Sequence, residues 1–272
     1  MDTRPLFRPL CVEIVTLLRA LSTADWERPT LAPAWRVRDV VAHMLDTALR
    51  RLSFHRDRMA PPAPPRPLAS EREFVAFINE LNATWVRAAA RLSPRVLTDL
   101  YATVSRELCD FVETFPDDGP PLFPVSWAGD RGVSGLLDIG REFTEVWHHG
   151  AQLREAVGAG PFPDPRWLHA VLAIAMQALP HAYRGVDAPD GASLAIEITG
   201  PSGNTWTLRR HSSGWDIAEG DDASATSRAT LPDDTAWRLF FNALAAPADG
   251  ALRLSGDLAL ARPLLRARSV IV

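Results

Sequence analysis

The run Glu142-Phe143-Thr144-Glu145-Val146-Trp147-His148-His149 reads as two turns of helix, with Glu145 and His149 four residues apart. That spacing puts both side chains on one helix face, one turn apart. About a hundred residues earlier, Arg38-Asp39-Val40-Val41-Ala42-His43-Met44-Leu45 reads as another helix, with His43 in its first two turns. If the two helices face each other in a bundle, His43, Glu145 and His149 form a His/Glu/His set. Bundles build metal sites in this way, from inward-facing side chains. Such a set is that of a catalytic zinc site, three protein ligands with a fourth position open. Spacing alone leaves other readings in place. Glu145 and His149 also suit a surface i,i+4 pair, and His43 a hydrogen-bonded core position. His148 points about 100° away from His149 around the helix, so the two do not easily serve one metal. Glu142, one turn before Glu145, is a candidate substitute ligand or partner to a ligand.

Outward from these runs, the chain is helical over its first two thirds. Residues 5–22 carry Leu6, Leu10, Ile14, Leu17, Leu18 and Leu21 at helical spacing. Pro29 to Trp35 is a proline-bounded loop, and a helix is expected from Val37 to about Arg58. The proline-rich stretch 60–68 fits an exposed linker. Further helices are expected over 70–91, from Ser93-Pro94 to about Phe115, over 134–157 and near 165–184. The fourth of these six helices starts on a serine cap followed by proline, and the 134–157 helix stops at Gly158-Ala159-Gly160. Residues 116–133 hold turn chemistry and the short run Leu122-Phe123-Pro124-Val125-Ser126-Trp127. Past Gly185 to Gly191 the hydrophobic period changes from 3.6 to 2. Leu194–Ile198 and Trp206–Arg210 read as a hairpin, with further strands at Trp215–Ile217 and Ser227–Leu231. A helix follows Pro232, and Leu252–Asp257 leads into a last one over about 257–267. The expected architecture is a helical domain over 1–186 and a smaller α+β domain over 187–272.

The length of 272 residues suits one large domain or two ordinary ones. Hydrophobic content of 47% and charged content of 23% mark an ordinary soluble globular chain. No apolar stretch approaches the roughly 20 residues that span a bilayer, and the N-terminus lacks a secretory apolar region. No membrane association and a cytoplasmic location are therefore the expectation. The net charge of −4 argues against a nucleic-acid binder held by phosphate contacts. Cys11 and Cys109 sit in apolar helical patterns outside any CxxC motif and read as buried, inert thiols. All 29 basic residues are arginine, a bias that points to a GC-rich genome. No nucleophile elbow, P-loop or dinucleotide fingerprint is present. His55, His169, His181 and His211 have no partner at useful spacing and read as structural or exposed. A monomer is expected.

Two segments carry a resemblance. Glu27-Arg28-Pro29-Thr30-Leu31-Ala32-Pro33-Ala34-Trp35-Arg36-Val37-Arg38-Asp39-Val40-Val41-Ala42-His43-Met44 resembles the first signature of mycothiol-dependent maleylpyruvate isomerase-like proteins. Thr144-Glu145-Val146-Trp147-His148-His149-Gly150-Ala151-Gln152-Leu153-Arg154 resembles the second. Trp237-Arg238-Leu239, Ser255-Gly256-Asp257 and Ala261-Arg262-Pro263-Leu264-Leu265 resemble the family's sterol-carrier-like C-terminal domain. The resemblance implies a DinB-type four-helix bundle at the N-terminus, His43, Glu145 and His149 as metal ligands, and mycothiol as cosubstrate. It also fits the arginine bias, because mycothiol belongs to GC-rich actinobacteria. The chain departs from the family pattern where Pro-Gly-Trp becomes Pro33-Ala34-Trp35 and where Ala32 precedes that proline. It also carries Gln152 where an aspartate commonly follows the ligand histidine by three residues. That aspartate suits a group that orients a ligand or substrate, so its replacement bears on the reaction more than on the metal.

Three functions are compatible with these readings. A divalent metal, with zinc favoured by ligand type although nickel and iron accept the same set, binds a low-molecular-weight thiol and lowers its pKa. The thiolate then adds to a small electrophile, giving S-transfer or cis–trans isomerisation. Alternatively, the bundle is a metal-dependent hydrolase working through bound water. In the third, non-enzymatic reading, the bundle binds metal for stability or the C-terminal domain binds a ligand.

Overall fold

The computed structural model describes residues 1–122, 134–243 and 250–269. The run that follows Leu122 lies outside them. The chain divides into two compact units, one of Asp2–Leu122 and Arg141–Phe162, the other of Met1, Phe123–Gly140 and Pro163–Val272.

The first unit is helical. Helices α1 (Arg4–Ala20), α2 (Val37–Arg51), α3 (Glu71–Ala89) and α4 (Pro94–Glu113) are joined by the greater part of α5 (Gly135–Val157). Their starts are written in the sequence. Asp39 accepts the backbone N–H of Arg36 at 2.9 Å, closing the entry to α2. Ser70 and Ser93 accept the N–H groups of Glu73 and Val96 at the starts of α3 and α4. The apolar faces follow the helical period. On α1, Phe7, Leu10, Ile14 and Leu18 are buried, each contributing about 1.5–3 kcal/mol relative to exposure. The α1 face packs on α4, where Leu97, Tyr101, Leu108 and Val112 are buried. On α2, Val37, Val40, Val41, Met44, Leu45 and Ala48 are buried, and this helix packs against both α3 and α4. Cys11 and Cys109 are both buried and free. The helix expected to reach Arg58 leaves α-geometry after Arg51 and finishes as a wider π turn over Leu52–Arg56.

The second unit is built on a five-stranded sheet of order β3-β2-β1-β4-β5. Strands β1 (Ser193–Thr199), β2 (Asn204–His211) and β3 (Gly214–Glu219) form an antiparallel meander. Strand β4 (Ser227–Pro232) joins β1 in parallel, and β5 (Arg253–Gly256) pairs antiparallel with β4. Leu194, Ala195 and Ile196 of the central strand are all buried, so both faces of β1 are covered. Helix α8 (Asp233–Phe240) packs on β1 and β4. The turn between β1 and β2 demands Gly203, because a Cβ there would land on the carbonyl of Ile198.

Three expectations change in detail. The single helix expected over 165–184 is two, α6 (Pro165–Met176) and α7 (Leu179–Ala182). Pro180 fits the break, because it has no N–H to continue the ladder from α6 and sits in the first turn of α7, where none is needed. The last helix is one α-turn, α9 (Leu258–Ala261), then a 3-10 stretch over Arg262–Arg266, again at a proline, Pro263. Residues 253–256, read only as a lead-in to that helix, are a paired strand too short to show a period.

Candidate metal centre

The folded chain brings His43, Glu145 and His149 together. One ligand atom from each lies within 4.8 Å of the others. His149 Nε2 stands 3.5 Å from Glu145 Oε2, close to the spacing of about 3.4 Å between neighbouring ligand atoms around a tetrahedral zinc. The rings of His43 and His149 meet edge to face at 4.8 Å between centroids. His43 Nδ1 is buried and has no hydrogen-bond partner. A buried imidazole nitrogen left without a partner costs free energy, and a donor set of two imidazoles and a carboxylate suits a divalent cation.

Each side chain is held by a specific local device. His43 is placed by α2, one helical turn past Asp39. The preceding loop folds back on itself. Thr30 Oγ1 donates to the carbonyl of Trp35 at 2.9 Å and accepts the N–H of Ala32 at 3.2 Å. The Thr30 N–H also reaches the Trp35 carbonyl, at 3.1 Å. This clasp lays the half-buried Trp35 indole against His43, with ring centroids 4.9 Å apart. On the far side of α2, Trp85 donates its indole N–H to the Ala42 carbonyl at 2.9 Å.

Helix α5 supplies the other two side chains of the cluster. Gly150 lets this helix come close to its neighbours, since a Cβ there would meet the ends of Phe162 and Ile14. Next to the ligands, His149 Nδ1 donates to Gln152 Oε1 at 2.9 Å, and Gln152 Nε2 donates to His148 Nε2 at 3.2 Å. His148, expected to point away from the cluster, stacks on His149 at 5.3 Å and serves as this hydrogen-bond acceptor.

Two buried imidazoles, His43 and His148, are held neutral beside one carboxylate. Burial and the neighbouring His149 push His43 down to about 3. Burial likewise pushes His148 down to about 3. Burial alone would raise Glu145, but the hydrogen bond and charge of His149 outweigh it and hold the carboxyl at about 2. The Glu145 side chain keeps 29% of its exposure against 10% for His149, so the cluster opens to solvent on the carboxylate side.

Glu142 does not join the cluster. Its Oε2 accepts from Arg51 Nε at 3.0 Å and Nη2 at 2.8 Å, a buried ion pair between α5 and the end of α2. The same guanidinium stands 3.3 Å from His55 Nδ1, and His55 Nε2 donates to the Pro120 carbonyl at 3.0 Å. His55 is thus structural, as expected, but as part of a network. The sequence offered local signals for some of what was missed, since His148 and Gln152 are four apart on one helix. Arg51 and Glu142 offered none. His169 sits in the other unit, 3.3 Å from the Ser202 carbonyl, and His211 pairs with Asp216 on the sheet at 2.7 Å.

Comparison with known proteins adds three findings. A family model described as the mycothiol maleylpyruvate isomerase N-terminal domain matches residues 7–154. The chain is 26% identical over 213 residues to an uncharacterized protein of Mycobacterium tuberculosis, covering 72% of each chain, and the match recurs in a second strain. Among solved structures it resembles the crystal structure of a mycothiol-dependent maleylpyruvate isomerase, with a TM-score of 0.52 and 15% identity over 93% of this chain and 91% of that one. A histidine-to-alanine mutant of such an isomerase matches with the same TM-score at 14% identity. At these identities the structural likeness is one of fold.

Proposed function

Because the chain belongs to the family of the mycothiol maleylpyruvate isomerase N-terminal domain, we propose that it is a metal-dependent enzyme acting with a low-molecular-weight thiol on a small electrophile. Its metal ligands in this reading are His43, Glu145 and His149. The convergence of these three side chains from two helices carries the proposal. Zinc suits two imidazoles and a carboxylate, and mycothiol is the thiol that the family's name suggests. When bound, the metal lowers the pKa of a coordinated thiol so that thiolate is available near neutral pH.

The chain's own residues do the rest. His43 and His149 offer neutral nitrogens, and Glu145 supplies one negative charge. Trp35 shields His43 from water, and the partly exposed Glu145 marks the side from which thiol and electrophile arrive. S-transfer and cis–trans isomerisation both fit, since each begins with a thiolate adding to carbon. Among the described residues no helix is long and apolar enough to cross a membrane, which agrees with small, water-borne substrates.

The test is elemental analysis of the purified protein, followed by a thiol-consumption screen with and without added zinc. About one metal per chain and metal-dependent thiol consumption are expected, and His43→Ala should lose both. Retained thiol turnover in His43→Ala would sink the proposal, and ester or amide turnover without thiol would replace it with a hydrolase.

A further inference from the structure

The reading of His43, Glu145 and His149 as metal ligands leaves one requirement open. A neutral imidazole carries one proton and one lone pair, and only the tautomer with its lone pair toward the cluster binds a cation. We propose that Gln152 is a positioning residue that fixes the tautomer of His149, and that His148 acts through Gln152 by fixing which way its amide faces.

The amide of Gln152 has fixed roles, its oxygen accepting and its NH2 donating. Gln152 Oε1 lies 2.9 Å from His149 Nδ1. An amide oxygen cannot donate, so Nδ1 carries a proton, and in the neutral ring that a cation needs the lone pair then sits on Nε2. Nε2 is the atom that faces Glu145 Oε2 at 3.5 Å. A primary amide is nearly symmetric in shape, however. Turned over, Gln152 would present its NH2 to Nδ1, draw the lone pair there and put the proton on Nε2, where it blocks ligation. His148 holds the amide against that flip. Gln152 Nε2 stands 3.2 Å from His148 Nε2, and an amide nitrogen cannot accept, so His148 Nε2 carries a lone pair. A flipped amide would aim its oxygen at that lone pair unless His148 also moved its proton to Nε2, so the amide turns only together with the His148 tautomer.

His148, His149 and Gln152 are 8%, 8% and 5% exposed, so water is a poor substitute for any of these bonds. The three residues stack along one helix as a relay from His148 to Gln152 to His149. A carboxylate at position 152 would hold the same proton but add a second negative charge. Among the described residues, this chain instead keeps the carboxylate of Glu145 as the cluster's one anion and uses a second histidine to orient a neutral amide.

The inference rests on the metal reading, and the experiment separates the two. Zinc affinity is measured by competition with a chromophoric chelator for wild type, Gln152→Met, Gln152→Glu, His148→Phe and the Met/Phe double variant. Urea unfolding controls for folding. Gln152→Met, which keeps the shape and removes the acceptor, should lose about 10–100-fold in zinc affinity. Gln152→Glu, which keeps the acceptor, should retain or exceed wild-type affinity. His148→Phe, which keeps the stacked ring, should weaken binding in wild type but add nothing to Gln152→Met, since its effect passes through the amide. Nitrogen-15 NMR of the unmutated, zinc-loaded protein should show the His149 proton on Nδ1. Wild-type zinc binding with Gln152→Met within threefold of it overturns the role of Gln152. Additive losses in the double variant overturn the role of His148, and a proton on Nε2 overturns both. A wild type that binds no zinc overturns the metal reading itself and this inference with it.

Discussion

Outside the candidate metal cluster, Arg51 of the helical unit forms a buried ion pair with Glu142. Its guanidinium is 2% exposed and its partner Glu142 is 7% exposed. Such a pair adds little net stability when intact, because desolvation offsets its attraction. Removing one partner strands a buried charge, at about 3–5 kcal/mol. Arg51→Met should therefore destabilise the protein by that amount in urea unfolding, and Arg51→Met with Glu142→Leu should recover much of it. A single-variant loss under about 1 kcal/mol would contradict this account. A pH dependence follows from the buried histidines. His43 and His148 titrate at about 3 when folded, against an ordinary value of 6.5. Below pH 6.5 the unfolded chain takes up protons that the folded chain refuses, so stability falls as pH drops from 6.5 toward 3. The slope is about 1.4 kcal/mol per pH unit for each histidine. Glu145, held at about 2 against an ordinary 4.5, adds loss in the same direction between those values. For metal-free protein, the urea midpoint should be level near pH 7 to 8 and fall from 6.5 down to 4. A midpoint unchanged across that fall would contradict the neutral, buried state of both rings. Residues of this kind divide by legibility. Glu145 and His149 were readable because four residues along a helix is a local relation. Arg51 and Glu142 are 91 residues apart, and nothing local marks a long-range pair.

Among the elements, the loop ahead of α2 has more influence than its length suggests. The Thr30 hydroxyl closes it through two bonds, to Trp35 and Ala32. Thr30→Val keeps the shape and removes both. The expected cost is about 1–3 kcal/mol, with a several-fold loss of zinc affinity as Trp35 swings off His43. Thr30→Ser should retain both properties, and a Thr30→Val protein with unchanged zinc affinity would show that the clasp does not serve the site. The sequence marked this segment as a proline-bounded loop, and its likeness to a family signature marked it as important. What the Thr30 side chain does there needed coordinates, because a hydroxyl bridging two backbone groups leaves no periodic trace. Helix ends were more legible. Ser93-Pro94 and Gly158 fell where the helices start and stop, while Pro180 and Pro263 broke helices that periodicity alone had run through. Proline acts on one hydrogen bond, and a pattern counted over many residues averages that away.

Across the whole molecule, the two units have separate cores, the helical one around α1, α2 and α4 and the other around β1. A ligand that binds only the folded helical unit stabilises it by about 2.7 kcal/mol at a hundred times its dissociation constant. Zinc should therefore slow amide hydrogen exchange in α2 and α5 and leave β1 and β2 unchanged. Equal protection of the sheet would show that the units unfold together. That a sheet follows the helices was legible because the hydrophobic period changes from 3.6 to 2. The strand order β3-β2-β1-β4-β5 was not, since pairing β1 in parallel with β4 joins segments that no turn connects directly.

The three converging side chains also set a timetable for the cell. His43 leaves the ribosome about a hundred residues before Glu145 and His149, a delay of roughly 5–20 s at ordinary rates of translation. Throughout that interval only one of the three clustered side chains, His43, has been made. If these three side chains hold a metal, it is chosen only after α5 has been made and folded, by the finished protein and whatever the surrounding fluid then contains, and not while the chain is being synthesised.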